Sequence, residues 1–484
     1  MGNSELKTKT VSSLVWSFLD KFGQQIIYLV SSLILMNIVA PSEYGLIGAL
    51  SIFIAFSGIL IDSGFGRALI NQKNVTEKEY SSVFFFNVGL GVLLYLILFF
   101  SAPFLAKIFH DQRIEPVSRV LFLSFVFNSL ALIQQTLLTK KADFQTITKL
   151  NLPALFITAI VAIWMAVKGY GVWSLVAQTV IYAFLRSLFF WIQSQWRPVV
   201  YFSFRTMRSF AGLSNQLLVA SIIGAVFNNI YPSIIAFFFP NSMKQVGFYS
   251  QANKIQDIPF STLSNTFRSV SMLILSEINE QTERLKRVVS KIMKAISFLA
   301  FPIGLYMILT AKPAFGLIFG HKWDGAVPYF QVLTLAGMSS SFSFILNELF
   351  IARERADFFL GIEIVRRVIL ILLILGLFRF GIMGLAASWV IYTYITVIIS
   401  LILSKKLIGY SIFDFLKDSL PYLLIALAST AIGYFATLRI SSNLIFILVS
   451  LILVFGSYWL ICQFLRLEMT KEIGEWVASK KIKL

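Results

Sequence analysis

The sequence predicts an all-α polytopic membrane protein with 14 transmembrane helices, and its composition, its apolar runs and the placement of its basic residues all support that fold class. Of its 484 residues, 57% are hydrophobic and only 13% are charged, whereas soluble globular chains carry about 25% charged residues. The apolar residues fall in runs of roughly 20, the length that a helix needs to cross a bilayer. These properties exclude a water-soluble, disordered or collagen-like protein.

The apolar runs divide the chain into fourteen predicted spans, with approximate bounds 11–38, 45–63, 81–107, 117–139, 151–168, 171–192, 211–239, 246–275, 289–311, 326–350, 361–378, 381–403, 419–438 and 443–465. The first run is long, is interrupted by polar residues and lacks a small-residue cleavage site. We therefore expect no removable signal peptide.

Lysine and arginine residues determine the predicted orientation, because cytoplasmic loops of membrane proteins carry an excess of both. With the N-terminus placed in the cytoplasm, the cytoplasmic segments contain 28 of the 41 basic residues and the opposite side contains nine. Both termini are thus predicted to be cytoplasmic, in a polytopic protein of the inner-membrane type. The net charge of +18 follows mostly from this topology. We therefore predict no nucleic-acid partner, and attraction to anionic membrane lipids is a secondary effect.

Cysteine and histidine are too scarce for disulfide frameworks and for most metal or haem sites. A single cysteine, Cys462, excludes a disulfide framework and a cysteine-based metal cage. Two histidines, His110 and His321, leave little material for zinc or haem. The sequence predicts no catalytic residue, metal or cofactor, and hence no enzyme.

Pairs of similar segments recur at offsets between 202 and 214 residues, which indicates an internal repeat of six spans. The pairs are KKADF (140–144) with RERADF (353–358), GVWSLVAQTVIY (171–182) with GIMGLAASWVIY (381–392), PFLAKIF (103–109) with PAFGLIF (313–319), and Gly45 with Gly247. Because six is even, both copies enter the membrane in the same orientation, as parallel repeats do.

The repeat gives a predicted domain organisation of two parallel-repeat six-helix bundles plus two extra C-terminal helices. Its parts are an N-lobe (1–192), a cytoplasmic connector (193–210), a C-lobe (211–403), spans 13 and 14 (404–466) and a basic cytoplasmic tail (467–484). Two matching bundles with a cleft between them are typical of an alternating-access transporter.

Several motifs are typical of one superfamily: APSEYGLIGAL (40–50), DSGFGRALI (62–70), FSFRTMRSFAGLS (202–214), VGFYSQANKIQDIP (246–259) and the KKADF and RERADF loops. With them, essentially the whole chain resembles the multidrug/oligosaccharidyl-lipid/polysaccharide exporter superfamily, and within it the polysaccharide (Wzx-type) flippases. The resemblance implies a flippase that moves a polyprenyl-diphosphate-linked oligosaccharide, such as an O-antigen, capsule or exopolysaccharide repeat unit, from the cytoplasmic to the periplasmic leaflet. The resemblance is also compatible with a polysaccharide polymerase and chain-length machinery as partners.

Polar residues at helical spacing inside the apolar spans predict a hydrated cavity between the bundles. Residues three or four apart lie on one face of a helix. In span 8 such residues are Ser250, Lys254, Asp257, Ser261, Ser264 and Arg268. In span 1 they are Ser13, Ser17, Asp20, Gln24, Tyr28 and Ser31, beside Lys21 and Gln25, and span 7 adds Ser214, Ser221 and Asn228.

These stripes contain the candidate functional residues. The predicted substrate-binding residues are Lys21, Lys254, Gln24, Gln25, Asn228, Ser250 and Ser261. Lys21 and Lys254 are the hypothesised contacts of the diphosphate, because an intramembrane lysine needs a partner or a wet cavity. Arg67 and Arg268, at matched positions after Gly45 and Gly247, are predicted gate residues at the cytoplasmic mouth. Asp20, Asp62 and Asp257 are candidates for ion coupling or ion pairing.

Simpler interpretations of the same residues stay open. Serine and asparagine stripes can join helices, and Lys254 can be neutralised by Asp257 one turn away. Asp62 and Arg67 can cap span 2. Arg186, late in span 6, is expected to extend to the cytoplasmic interface. Glu348 and Glu363 are expected to belong to a solvated loop network.

Other functions also stay open. A lipid-linked peptidoglycan-precursor flippase and a cation-coupled drug antiporter of the same superfamily are alternatives, although the N-lobe spans supply only Asp20 and Asp62 for a cation site. A membrane glycan polymerase or ligase is a remote alternative. The outer loops are short, and the largest (107–119 and 312–325) carry His110 and His321 without a nucleophile–base spacing.

Overall fold

The computed structural model describes residues 3–62, 65–72, 74–278, 280–352 and 356–481, and no strand occurs among them. Within those ranges, the description leaves out some side chains, namely those of residues 3–11, 14, 62, 67, 71, 209–221, 269–270, 272–274, 276, 351–352, 356–362 and 476–481.

Eighteen α-helices make up the described chain. They are α1 (Asn3–Ile38), α2 (Pro41–Ala49), α3 (Ser51–Asp62), α4 (Phe65–Asn71), α5 (Glu77–Ile108), α6 (Ile114–Leu121), α7 (Leu123–Lys140), α8 (Phe144–Val167), α9 (Val172–Gln193), α10 (Phe204–Phe238), α11 (Met243–Glu277), α12 (Thr282–Ile318), α13 (Val327–Ala352), α14 (Ala356–Leu377), α15 (Gly381–Ile408), α16 (Ile412–Thr437), α17 (Asn443–Phe464) and α18 (Glu468–Lys481). Short 3₁₀ turns precede α13 and α15.

The fourteen predicted apolar runs fall on helices, but two of them are each divided between two helices: 45–63 between α2 and α3, and 117–139 between α6 and α7. In the described ranges, nine helical segments are long and apolar enough to cross a membrane, or ten if the bent pair α2–α3 counts as one span. The prediction of an all-helical, multi-pass membrane protein is therefore confirmed. The number of fourteen spans stays a prediction.

Short polar side chains fix where several helices begin. Thr76 opens α5 with a capping box, in which its hydroxyl accepts from the Glu79 N–H and the Glu79 carboxylate accepts from the Thr76 N–H. Ser411 and Asp414 form the same arrangement at α16. Asp143, in the KKADF segment, accepts from the Thr146 N–H at the start of α8. Each such cap contributes about 1 kcal/mol, so the sequence specifies these boundaries locally.

The chain divides into two compact units, Met1–Ser250 and Gln251–Leu484, here called unit 1 and unit 2. In unit 1, α8 packs against α1 and α9, α7 packs against α5 and α9, and α10 packs against α3. In unit 2, α12 packs against α13, α16 and α17, and α15 packs against α13 and α14. The division lies inside α11, and the predicted N-lobe and C-lobe remain predictions.

Large apolar side chains are exposed along the outer helices. Phe100 on α5 is 75% exposed, Leu375 on α14 is 69% exposed and Ile452 on α17 is 72% exposed. A monomeric soluble protein rarely leaves so much contiguous apolar surface in water. In a bilayer the same side chains contact lipid, which agrees with a membrane-spanning fold.

Two glycines let the starts of α2 and α11 cross at backbone contact within unit 1. A Cβ on Gly45 would lie 1.8 Å from the Met243 carbonyl oxygen, and a Cβ on Gly247 would lie 1.9 Å from the Pro41 carbonyl oxygen. The contact is reciprocal, because 202 residues separate Gly45 from Gly247 and also Pro41 from Met243. Any side chain at either glycine would force the two helices apart.

Candidate functional site

The N-terminal helix α1, which carries most of the predicted binding residues, is attached along one side to α8. The Ser13 hydroxyl donates to the Ala142 carbonyl (2.9 Å) and the Thr148 hydroxyl donates to the Trp16 carbonyl (3.0 Å). These bonds fix the rotation of α1 about its axis. They therefore determine which of its side chains face away from α8.

Asp20 and Gln24, on the attached side of α1, belong to a network of polar side chains. The Gln24 amide donates to Asp20 (2.9 Å), and the buried Asn151 amide of α8 donates to the other Asp20 oxygen (3.3 Å). The Tyr182 hydroxyl of α9 donates to the Gln24 carbonyl oxygen (3.3 Å). The Asp20 carboxylate is thus held by amide donors, which satisfy it inside an apolar helix bundle.

Arg186 on α9 completes this network, which corrects the expectation that it extends to the cytoplasmic interface. Its Nε donates to the Asn151 side-chain oxygen (3.3 Å), and its Nη2 donates to the Gln135 side-chain oxygen on α7. Its guanidinium carbon also lies 5.6 Å from the centre of the Phe190 ring. Asn151 therefore joins the carboxylate of Asp20 to the guanidinium of Arg186, and the network links α1, α7, α8 and α9.

The surface of α1 that faces away from α8 is divided into a polar and an apolar part. Phe18 (63% exposed) and Phe22 (53% exposed) lie in the apolar part. Lys21 and Gln25 are also exposed, and because successive helical residues turn by roughly 100° they lie between the attached side and the apolar part. We call Lys21 and Gln25, with the half-buried Ser17 and Tyr28 at their edge, the polar sector of α1. An ammonium group there needs water or an anionic ligand.

The remaining predicted binding residues lie on α10 and α11. Asn228 on α10 and both Lys254 and Asp257 on α11 are exposed. Ser250 and Ser261 donate to carbonyls of their own helix, Gly247 (3.2 Å) and Ile258 (3.2 Å). The helix α11 continues through Pro259 without a break.

Of the two predicted gate arginines, Arg268 has a described side chain. Arg268 is 49% exposed and forms an ion pair with the buried Glu348 of α13, with 2.6 Å between Nε and Oε1. Glu348 thus lies in a helix rather than in the expected solvated loop network. The side chains of Arg67 and Asp62 lie outside the described residues, and the gate pairing stays a prediction.

Unit 2 contains a second polar network, centred on Arg366 and Arg367 of α14. Glu363, which was also expected in a solvated loop, instead accepts from Arg366 (3.0 Å) and from Arg367 (2.8 Å). Arg366 is buried and also donates to Asn347 of α13 (3.2 Å) and to Ser400 of α15 (2.5 Å). Arg367 donates to the Tyr392 hydroxyl (3.2 Å).

The two networks lie at corresponding positions of the predicted repeat. Tyr182 and Tyr392 end the matched segments GVWSLVAQTVIY and GIMGLAASWVIY, and each tyrosine belongs to the network of its own unit. Asn151 and Glu363 are 212 residues apart and stand at the centre of each network. This agreement adds a structural argument for the repeat.

Sequence reasoning missed Asn151, Gln135 and the role of Arg186. A usable signal existed, since a polar or charged residue within an apolar run is a functional or structural site by default. The spacing of residues along one helix does not identify their hydrogen-bond partners on a neighbouring helix.

Comparisons with known sequences identify a family and several relatives. The sequence model of a family described as "Polysaccharide biosynthesis protein" matches residues 34–328. An uncharacterized membrane protein in the cps region of Klebsiella pneumoniae is 26% identical over 85% of this chain and 86% of its own length. The teichuronic acid biosynthesis protein TuaB of Bacillus subtilis is 24% identical over 72% of each chain.

Two further matches cover most of the chain. The lipopolysaccharide biosynthesis protein WzxC of Escherichia coli is 23% identical over 87% of this chain and 88% of its own. Among solved structures, the lipid II flippase MurJ in an inward closed conformation superposes with a TM-score of 0.76, over 93% of this chain and 99% of its own, at 15% identity. The chain therefore shares the fold of that structure.

Proposed function

Because the chain belongs to the polysaccharide biosynthesis protein family, we propose that it is a flippase that carries a polyprenyl-diphosphate-linked oligosaccharide from the cytoplasmic to the periplasmic leaflet of the bacterial inner membrane. It acts as a transporter and not as an enzyme. The names of TuaB and WzxC place those relatives in teichuronic acid and lipopolysaccharide biosynthesis, respectively. Both products are glycans, which supports a glycan as the cargo here.

The observation that carries the proposal is the polar sector of α1. Its exposed Lys21 and Gln25 adjoin a satisfied polar network on one side and an apolar surface on the other. A lipid-linked oligosaccharide needs both surfaces, because its head is charged and hydroxylated while its polyprenyl tail is apolar. Lys21 meets the diphosphate as a point charge, and Gln25 offers its amide to sugar hydroxyls. Gln24, which the sequence also assigns to substrate binding, instead binds Asp20 and Tyr182 within the network.

We also propose roles for the polar residues of α10 and α11. Lys254 assists Lys21 at the diphosphate, while Asn228, Ser250 and Ser261 accommodate the glycan. Arg268 acts at the cytoplasmic mouth with Arg67, and its ion pair with Glu348 is the contact that opens when substrate enters. Asp20, Asp62 and Asp257 are the acidic groups available for ion coupling.

A deletion and complementation experiment tests the function. A strain that lacks the chain should lose its surface polysaccharide and accumulate the lipid-linked repeat unit on the cytoplasmic side, where an external lectin cannot reach it in spheroplasts. Complementation with the wild-type chain should restore surface polysaccharide. Unchanged polysaccharide in the deletion strain, or accumulation of a peptidoglycan precursor instead, would contradict the proposal.

A further inference from the structure

A cavity of about 480 Å³ lies in unit 1, at the end of α8 that is remote from Ala142. The distribution of basic residues predicts that this end is extracytoplasmic. Three parts of the chain line the cavity: the junction of α1 and α2, the start of α6, and the turn between α8 and α9. Its volume falls in the range of about 300–1,000 Å³ that is typical of sites for small ligands.

One wall of the cavity is a fixed arrangement of charged groups. Glu43 accepts from the Arg113 guanidinium (2.7 Å) and, through its other oxygen, from the Val172 N–H at the start of α9 (2.9 Å). Asp111 accepts two further bonds from the same guanidinium (3.1 and 2.7 Å). These bonds use three of the five N–H groups of Arg113, so two remain for a ligand. The Arg113 side chain is 47% exposed.

A second part of the lining, here called the aromatic wall, consists of aromatic and apolar side chains. Tyr170 is 52% exposed and Trp173 is 36% exposed, and both line the cavity with Val39 and Val117. An exposed tyrosine or tryptophan offers a flat apolar face and a polar edge. A ligand in the cavity therefore meets both aromatic rings and hydrogen-bonding groups.

The local charge determines which ligand fits. The guanidinium of Arg113 pairs with the carboxylates of Glu43, which lines the cavity, and Asp111, which is outside the lining, so this cluster carries a surplus negative charge and disfavours a phosphate or a uronate. A neutral sugar suits it, because a hydroxyl can donate to a carboxylate and accept from an arginine at the same time. The C–H face of a pyranose ring matches the aromatic wall.

We propose that this cavity is a binding subsite for a neutral pyranose unit of the transported glycan, with the sugar ring against Trp173 and its hydroxyls on Arg113 and Glu43. The assignment rests on the proposed flippase function. It gives the predicted extracytoplasmic end of unit 1 a role in holding the glycan as it leaves the membrane.

A simpler account is that the aromatic residues belong to the belt that anchors a membrane protein at the lipid–water interface. Trp164 provides the matched comparison. It is 57% exposed and its ring lies 6.4 Å from that of Tyr170, but it does not line the cavity. In a belt the two tryptophans have equivalent roles, whereas a sugar subsite needs only Trp173.

The test uses the full chain in nanodiscs and saturation-transfer NMR with four probes: N-acetylglucosamine, galactose, glucuronate and inorganic phosphate, with empty nanodiscs as the blank. We expect transfer to at least one neutral sugar. The signal should be lost in Trp173→Ala, largely restored in Trp173→Phe and unchanged in Trp164→Ala. No transfer to either neutral sugar, transfer only to glucuronate or phosphate, or equal loss in both tryptophan variants would overturn the subsite.

Complementation of the deletion strain separates the subsite from the function. Trp173→Ala should lower surface polysaccharide at unchanged protein abundance, and Trp164→Ala should not. If Trp173→Ala supports wild-type export while the deletion abolishes it, the subsite is refuted and the flippase function stands. If the deletion has no effect on export, the proposed function is refuted and the subsite with it.

Discussion

Lys21 is the single residue on which the substrate assignment depends most. It is exposed on the polar sector of α1, where an ammonium group costs about 2.5–3.5 kcal/mol on membrane-insertion scales unless water or an anion compensates it. We expect Lys21→Ala to abolish surface polysaccharide and Lys21→Arg to retain part of it, at equal protein abundance. Quantification of surface polysaccharide in the complemented deletion strain measures this.

The control for Lys21 is Lys107→Ala, which removes an exposed lysine from the last turn of α5 and should leave export unchanged. Asp257→Asn should lower surface polysaccharide less than Lys21→Ala does. Normal export by the double variant Lys21→Ala, Lys254→Ala would refute the assignment of the two lysines to the diphosphate.

Arg186 is expected to stabilise unit 1 and not to bind substrate directly. Arg186→Ala removes the donors to Asn151 and Gln135, and a buried polar group left without a partner costs about 1–3 kcal/mol. The variant should melt at a lower temperature in detergent, with a smaller decrease for Arg186→Lys. Arg379→Ala, which removes an exposed arginine stacked on Phe380, serves as the control. Equal melting temperatures for Arg186→Ala and Arg379→Ala would contradict the structural role.

At this scale the sequence predicts position along a helix better than it predicts partners. Helix geometry alone places Asp20 and Gln24 on one side of α1 and Lys21 beside them, and in the structure Gln24 donates to Asp20 while Lys21 is exposed. The partners Asn151 and Tyr182 are more than 120 residues away in the chain. Only the packing of α8 and α9 brings them to α1, and no spacing rule contains that information.

Among the helices, the predicted span 45–63 shows how packing modifies a continuous apolar run. The structure divides it into α2 and α3, which are bent by 43°. At the break, the Ala49 carbonyl accepts from the Ser233 hydroxyl of α10 (2.8 Å). The Ser51 hydroxyl donates to the Asn229 carbonyl (3.3 Å). A neighbouring helix thus satisfies the backbone group that the bend frees, and an apolar run by itself gives no sign of it.

The crossing of α2 and α11 gives a prediction for the glycines. A methyl group on Gly45 or Gly247 would lie within 2 Å of a carbonyl oxygen of the other helix, and relieving such overpacking costs about 1–3 kcal/mol or more. Gly45→Ala and Gly247→Ala should each lower the melting temperature and export. The control is Gly58→Ala, where a Cβ meets nothing within 4 Å. It should be neutral or stabilising by up to about 1 kcal/mol, because alanine favours the helix over glycine.

Equal behaviour of Gly45→Ala and Gly58→Ala in thermal melts would show that the two helices are not in backbone contact in the membrane. The reciprocity of the crossing adds a sharper condition. Since Gly45 and Gly247 face equivalent carbonyls at 1.8 and 1.9 Å, their alanine variants should have effects of similar size. The double variant should lose less stability than the sum of the losses in the two single variants, because the first substitution already separates the helices.

For the whole molecule, different sequence signals predict different levels of structure. The length and apolarity of the runs depend only on the bilayer, and the all-helical fold follows from them. The two polar networks, by contrast, depend on how neighbouring helices pack. The weak internal similarity that links Tyr182 to Tyr392 is the sequence signal closest to that packing, because it marks the same position in both halves of the chain.

Orientation is the whole-molecule property that the basic residues predict, and cysteine labelling tests it. The native Cys462 is fully buried, so it should react slowly with a membrane-impermeant maleimide and give a low background. A cysteine at Lys244, exposed at the start of α11, should be labelled in intact spheroplasts, whereas one at Lys286, near the start of α12, should be labelled only after lysis. The expectation follows from the excess of lysine and arginine on the cytoplasmic side. Labelling of the Lys286→Cys variant from outside would show that the predicted orientation is wrong. Arg268 and the cavity lined by Trp173 would then lie on the sides of the membrane opposite to those proposed here.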